Sequence, residues 1–445
     1  MSAQRSPLLH APVVPALARL AAPGIALALF QTAVSVADTY FVGRLGTDSL
    51  AGLALVFPMV MLLQMTSAGA MGGGVSSAVA RALGAGKADA ARELVVHAVV
   101  IAVGAGLLFT LLLLGLGRGL YGMLGGRGAA LAQALSYSQV LFGGAVLVWI
   151  ANTLASVLRG SGNTLAPALA LAGAAVVQIP LSGALTLGWG PFPQWGITGT
   201  AVSYVVAFGL ASFAMAVRVW TGALRPQRKH WRLEARLFRD ILKVGAVSSV
   251  SALQTVLTAV ILTGFVARFG TAALAGYGVG VRLELLQIPI VFAIGQALVV
   301  MVGTNIGAGQ AARAKRIAWT GTAAAMLVCL AIGWTVAAYP PLWIRIFSDD
   351  AAVLEIGSLY MRAVAPFYPF LGAAVALYFA SQGSGQVLMP VLAGTARLLL
   401  VAAGGVLVMQ LGGPLAALFA VIALGLAVFG GLTGYVVHKA RWERA

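Results

Sequence analysis

The sequence predicts an all-α polytopic membrane protein whose twelve transmembrane helices form two parallel-repeat six-helix lobes. Three observations predict it. Residues A, V, I, L, M, F, W, Y and C fill 60% of the 445 positions and only 9% are charged, against about 25% charged in soluble domains. Twelve stretches are long and apolar enough to cross a bilayer, for which a helix needs about 20 residues. The second half of the chain also repeats motifs of the first in the same order.

The twelve stretches run over 14–42, 50–81, 93–117, 129–158, 165–189, 196–219, 238–267, 273–304, 316–340, 352–380, 388–411 and 414–437. Each is continuously apolar, whereas strands of a membrane barrel are short and alternate in polarity, so helices are predicted. The first stretch imitates a secretory leader, with Arg5 before an apolar run and Ser35-Val36-Ala37 before Asp38. It has a full counterpart in the second half and is expected to stay as a span.

Between the sixth and seventh stretches lies RPQRKHWRLEARLFRD, within Arg218–Lys243, the longest polar segment of the chain. It divides a first lobe, 1–220, from a second, 238–445, with 221–237 as a solvated basic linker on the cytoplasmic side. The halves match three times. FVGRLGTDSLAG (Phe41–Gly52) pairs with FVARFGTAALAG (Phe265–Gly276), LGAGKADAAR from Leu83 with IGAGQAARAKR from Ile306, and LRGSGNTLAP from Leu158 with ASQGSGQVLMP from Ala380. The spacing stays close to 223, so each half holds six spans in the same orientation, related by an axis along the membrane normal. Two such lobes leave a central cleft that rocking exposes to either side, which is the geometry of a transporter. Gly84 and Gly86, like Gly307 and Gly309, are expected to end long helices in tight turns at positive φ. Gly72, Gly73 and Gly74 are expected to let helix backbones approach closely.

The net charge of +17 is read by location. With the amino terminus inside, twenty Lys and Arg, among them Arg81, Lys87, Arg92, Arg159, Arg313, Lys315, Arg316, Lys439, Arg441 and Arg444, fall on the cytoplasmic side. Arg44, Arg118, Arg127, Arg268 and Arg345 fall outside, and Arg282, Arg362 and Arg397 within spans. That asymmetry follows the positive-inside rule and places both termini in the cytoplasm of a bacterial inner (plasma) membrane, with membrane lipids and no nucleic acid as partners. A monomer is expected. The lone Cys329 allows neither a disulfide framework nor a cysteine metal site. His10, His97, His230 and His438 lie at termini or span ends, and no acid or histidine cluster suggests catalysis, so no enzyme, metal or cofactor is predicted. No Walker loop is present, so an ion gradient is the expected energy source.

An ionisable side chain at the bilayer centre costs roughly 2.5 to 3.5 kcal/mol on insertion scales, so each is a functional candidate. The acids are Asp38 and Glu284, with Glu355 nearer a span end. Gln31, Ser35 and Asp38 share a helical face. Burial favours a protonated carboxyl, so Asp38 is read as carrying a coupling proton, or as part of a sodium site when ionised; a structural carboxylate is the alternative. Asn152 on the fourth span, with Ser203 and Tyr204 on the sixth, is expected to complete a polar cavity with Asp38. Glu284 and Gln287 share a face of the eighth span while Arg282 points elsewhere. Glu284 either contacts a cationic substrate or ion, or neutralises an arginine from another helix. Gln254, Thr255, Gln287 and Tyr204 are grouped with Glu284 as candidate substrate contacts.

The pieces DTYFVGRLGTDSLAGLALVFP, VLRGSGNTLAPAL, GITGTAVSYV, FVARFGTAALAGYGVGVRLE and VGTNIGAG touch most spans and both halves. In them the sequence resembles the multidrug and toxic compound extrusion (MATE) family of cation-coupled antiporters. The resemblance implies two six-helix lobes and export of amphipathic, often cationic compounds in exchange for protons or sodium. It supports Asp38, which matches an aspartate of the family's first helix, and implies that Pro23 is a bending point of that helix. The chain also departs from the family. On the fifth span, where relatives carry an Asn and an Asp four residues later, it has Gln178 and Ser182, which share a face but do not titrate near neutrality. Where sodium-coupled relatives place acids on the seventh and tenth spans, it has Thr255 and Leu371. Two competing readings are a lipid-linked sugar flippase of related plan, for which Arg282, Arg362 and Arg397 are the basic candidates, and a membrane-embedded transferase.

Overall fold

The computed structural model describes residues 7–442; Arg5 and Arg444 lie outside them. Among the described residues every regular element is a helix. Eleven are long and apolar enough to cross a membrane: α1 (Val13–Gly43), α2 (Thr47–Gly84), α3 (Ala88–Met123), α5 (Leu165–Leu187), α6 (Ile197–Trp220), α7 (Ala235–Ala267), α8 (Thr271–Gly307), α9 (Ala311–Ala338), α10 (Ala351–Ser384), α11 (Leu388–Gln410) and α12 (Leu415–Lys439). The twelfth, α4, is the pair Gly128–Gly143 and Ala145–Gly160, bent by 49°. The bend sits at adjacent glycines, where helices kink readily, and a Cβ on Gly144 would lie 2.5 Å from the Val205 side chain of α6. Large apolar side chains such as Leu29, Leu111 and Phe213 are 70–72% exposed, as helices surrounded by lipid require.

The described residues divide into two compact units, Leu20–Gly245 and Ala246 onward, and the stretch through Arg19 belongs to the second. The chain therefore passes from one unit to the other within α1, and again within α7. In the first unit α2 packs on α4, α3 on α4, α4 on α6 and α5 on α6; in the second, α8 packs on α10, α9 on α10, α10 on α12 and α11 on α12. The same plan occurs twice, with every pairing in equivalent order.

Close contacts repeat as well. A Cβ on Gly72 would lie 2.6 Å from Ser156, and one on Gly295 would lie 2.2 Å from Phe379. Gly160 approaches the Ser76 carbonyl as Gly383 approaches that of Val299. These are the close backbone approaches on which lipid-embedded helices depend, since hydrophobic burial gives them little advantage over lipid. Gly74, where a Cβ would lie 2.8 Å from the Ile241 carbonyl, has the packing role expected of it. Of the four glycines expected to take positive φ, Gly86 and Gly309 do, each at 75°. Gly84 and Gly307 do not, because each is the last residue of its helix and keeps the helical twist.

One irregularity distinguishes the halves. Phe41 and Gly52 pair with residues 224 positions on, whereas Gly84 pairs with Gly307, 223 on, so the first half carries one extra residue between Gly52 and Gly84. In that interval α2 becomes a π-helix over Met65–Met71, while α8 is α-helical throughout. A π turn bonds five residues along instead of four and so absorbs one residue without rotating the flanking faces.

Pro23 lies inside α1 without ending it. It lacks the N–H that would bond the Arg19 carbonyl, and the boundary between units falls between Arg19 and Leu20.

The seam of α5 against α6 is close, and a Cβ on Gly199 would lie 2.5 Å from the Leu185 backbone. Gly199→Ala is expected to cost about 1–3 kcal/mol by overpacking and to lower the thermal unfolding midpoint in detergent. Gly209→Ala on the same helix, with 3.5 Å of room, should leave the midpoint unchanged.

Candidate functional site

The first unit holds Asp38, the candidate carboxylate of the first span. Asp38 lies near the end of α1, opposite the middle of α5. Ser182 donates its hydroxyl to one carboxylate oxygen of Asp38 (Oγ–Oδ1 2.6 Å) and Gln178 donates its amide to the other (Nε2–Oδ2 3.1 Å). The two donors are one helical turn apart on α5, and both are buried. No Lys, Arg or His of the described residues lies within 4.0 Å of the carboxylate. Three residues expected to share the site are thus brought together, without the second acid found in relatives.

This donor set has a chemical consequence. A hydroxyl donates or accepts, and a primary amide offers an N–H face or a carbonyl. Ser182 and Gln178 can therefore satisfy either the carboxylate or, by rotating, the neutral acid. A lysine or arginine in their place would hold the ionised form alone.

A second polar cluster lies in the same unit. Asn152 on α4 donates through Nδ2 to Ser67 Oγ (2.8 Å) and Gln64 Oε1 (3.0 Å), and Gln64 Nε2 donates to the Tyr204 hydroxyl (2.5 Å). Gln64 and Ser67 border and occupy the π segment. Tyr204, together with Tyr137, lies within reach of the Asp38 charge. Gln64 and Ser67 were not anticipated; the available signal was an amide and a hydroxyl three residues apart on one face of an apolar span.

Other candidates are placed differently. Gln31, two turns before Asp38 on α1, is exposed. Ser203 is buried and donates to the Thr200 carbonyl of its own helix (2.8 Å), so it does not complete the cavity expected around Asp38: its hydroxyl is used within α6.

Four of the five candidate substrate contacts lie in the second unit. Tyr204 belongs to the first unit, with Gln64. In the second unit, Gln254 donates to Thr395 of α11 (2.7 Å), and Thr255 is exposed and bonds the Ser251 carbonyl of its own helix (2.9 Å). Gln287 is fully buried, and its amide reaches only the Leu283 carbonyl (3.3 Å). Glu284 accepts a short hydrogen bond from Tyr360 of α10, whose ring is wedged between Tyr277 and Phe419 and lies against Gly280. The Arg397 guanidinium of α11 lies within electrostatic range of Glu284 and covers the Phe429 ring at 5.6 Å. Arg282 instead covers Phe347 at 5.1 Å. Glu284 thus has Tyr360 as hydrogen-bond partner and an arginine from another helix within electrostatic range, with no ion pair inside 4.0 Å among the described residues.

The MatE family model matches residues 23–183 and 247–407, one copy in each half. The chain belongs to the MATE family. It is 27% identical over 393 residues to a protein of Shewanella oneidensis named FAD transporter, covering 83% of this chain and 82% of that one. It is 25% identical over 391 residues to a probable multidrug resistance protein NorM of Thermotoga maritima, at 84% and 81% coverage. Against the multidrug export protein MepA of Staphylococcus aureus it is 22% identical over 395 residues, at 86% and 85%. Among solved structures, a MOP superfamily transporter from Pyrococcus furiosus superposes with a TM-score of 0.89 at 22% identity, covering 98% of this chain and 97% of that one. A MATE transporter in the outward-facing conformation superposes at 0.87 with 22% identity and the same coverage. This MATE protein is accordingly a multi-pass membrane transporter of a multidrug-efflux family and not an enzyme.

Asn152→Ala should leave Gln64 Oε1 and Ser67 Oγ without their donor, at a cost of about 1–3 kcal/mol, seen as a lowered unfolding midpoint. Glu284→Gln keeps an acceptor for Tyr360 and is expected to unfold within a few degrees of the parent. A collapse of that variant would show that the charge of Glu284, and not its hydrogen bond, holds the second unit.

Proposed function

We propose that this MATE protein exports amphipathic, often cationic compounds by alternating access, in antiport with protons carried on Asp38. The observation that carries the proposal is a lone carboxylate held by two neutral partners, Ser182 and Gln178, each able to serve its charged and its protonated form. Sodium is the less favoured coupling ion, because one carboxylate and two neutral oxygens are a thin ligand set for a hard cation that must shed water. In this reading Pro23 is the hinge of α1, and the loss of a hydrogen bond at the Arg19 carbonyl makes bending there cheap. The chain Ser67, Asn152, Gln64 and Tyr204 offers hydrogen bonds to a substrate. The charge asymmetry supports an inner-membrane location with cytoplasmic termini.

A second reading, export of an anionic flavin nucleotide, is favoured by Arg282. It has no carboxylate within 4.0 Å among the described residues, and one relative is named FAD transporter.

The test is ethidium efflux from cells expressing the parent or Asp38→Asn at equal membrane levels, with proton and sodium gradients imposed separately. Proton-driven efflux by the parent and its loss in Asp38→Asn are expected. Equal efflux by both proteins would remove Asp38 from coupling. Absence of dye efflux from the parent, with FAD appearing in the medium, would favour the flavin reading.

A further inference from the structure

The segment joining α6 to α7 is built as a rigid platform. Asp89, in the first turn of α3, binds three groups: Lys229 Nζ (2.9 Å), Arg92 (2.8 Å) and His230 Nε2 (3.3 Å). His230 is 1% exposed, and its Nδ1 accepts the Gln227 backbone N–H at 2.9 Å, closing a capped 3-10 turn over Arg228–Trp231. Farther on, the Glu234 backbone N–H donates to Nε2 of the buried His97 (2.8 Å), whose Nδ1 donates to the Glu93 carbonyl (2.8 Å). Leu224 is buried beneath. The linker is thus clamped to α3 at His230 and Glu234 while most of its residues stay exposed, as expected of a solvated segment.

Clamping leaves particular side chains outward. Trp220, Arg225, Pro226, Gln227, Arg228 and Trp231 line an open cleft of ≈ 540 Å³. Trp220 is the last residue of the span α6, so the cleft sits where the apolar span ends. Trp231 is 56% exposed. Arg225, Arg228 and the adjacent Arg232 have no carboxylate within 4.0 Å among the described residues, since the nearby acids are engaged elsewhere: Asp89 as above, and Glu234 with Arg236 at 4.0 Å.

We propose that this cleft binds the headgroup of an anionic phospholipid. Two unpaired guanidiniums suit a phosphodiester, which they can grip through paired N–H donors. Indole rings prefer the membrane–water interface, with the apolar body toward the acyl chains. Clusters of basic residues beside a span attract anionic lipid, each worth about fivefold in affinity. The depth of Trp220 favours a lipid over a soluble anion, which would have no use for an aromatic floor at the end of a span. Because Asp89, His97 and His230 fix the platform before any lipid arrives, little ordering cost remains for binding.

The inference does not rest on the transport reading and is tested without transport. Intact protein in detergent is titrated with dioleoylphosphatidylglycerol or dioleoylphosphatidylcholine and bound lipid is counted by native mass spectrometry. The parent should retain phosphatidylglycerol preferentially, and R225Q/R228Q should bind it about twenty-five-fold more weakly, the product of about fivefold for each arginine. R225K/R228K, which keeps both charges, should retain most of the binding and so separates loss of the site from loss of the fold. Arg118→Gln, at the other end of α3, should bind as the parent does. Unchanged binding by R225Q/R228Q overturns the proposal, as does equal binding of the two lipids by the parent. Displacement of the lipid by inorganic phosphate at comparable concentration would also overturn it, in favour of a soluble-anion site.

Discussion

Hydrocarbon offers no hydrogen bonds, so every backbone N–H and C=O within the membrane must find its partner in the protein. The architecture follows from that constraint: long helices make the spans, their turns fall at span ends apart from the bend of α4, and tight turns use glycines such as Gly86 and Gly309 that take φ 75° without penalty. The same constraint leaves side chains as the main source of chemistry in the membrane. Any irregularity of a helix must then be met by neighbouring groups. The π segment of α2 shows this: Thr66 returns its hydroxyl to the Leu62 and Leu63 carbonyls and Ser67 returns its own to Leu63, while Ser67 also accepts from Asn152.

Much of the fold was legible because lipid simplifies the sequence code. The twelve apolar stretches correspond to α1 to α12, and the duplicated motifs correspond to duplicated contacts, down to Gly72 on Ser156 and Gly295 on Phe379. The 49° bend of α4 was not legible: two adjacent glycines in an apolar run do not reveal which neighbour will press against them. The π segment left a trace in the sequence, a change of repeat spacing from 224 to 223, but one extra residue has meaning only once the helix absorbing it is seen.

The site divides in the same way. Asp38 stood out because a carboxylate in a span is costly, and Gln178 and Ser182 because they occupy positions where relatives carry other residues. Gln64 and Ser67 were missed because neutral polar residues in spans mostly serve packing, and nothing in their order along the chain says which of them converge. The candidate substrate contacts were chosen by polarity alone, and the structure separates them: Gln254 is bound to Thr395, Thr255 to its own helix, and Gln287 is enclosed. Glu284 was left between two roles, and the approach of Arg397 from α11 is tertiary information that no local pattern carries.

The crossing of the chain within α1 and α7 has a consequence for how the halves depend on each other. The first turns of α1 belong with the residues from Ala246 onward, and the first turns of α7 belong with Leu20–Gly245. A cut in the loop between α6 and α7 would therefore yield two fragments, each missing a piece of its own body and carrying a piece of the other's. Each fragment would then look to the other for its missing piece, the kind of reciprocal exchange seen between protomers of a domain-swapped dimer.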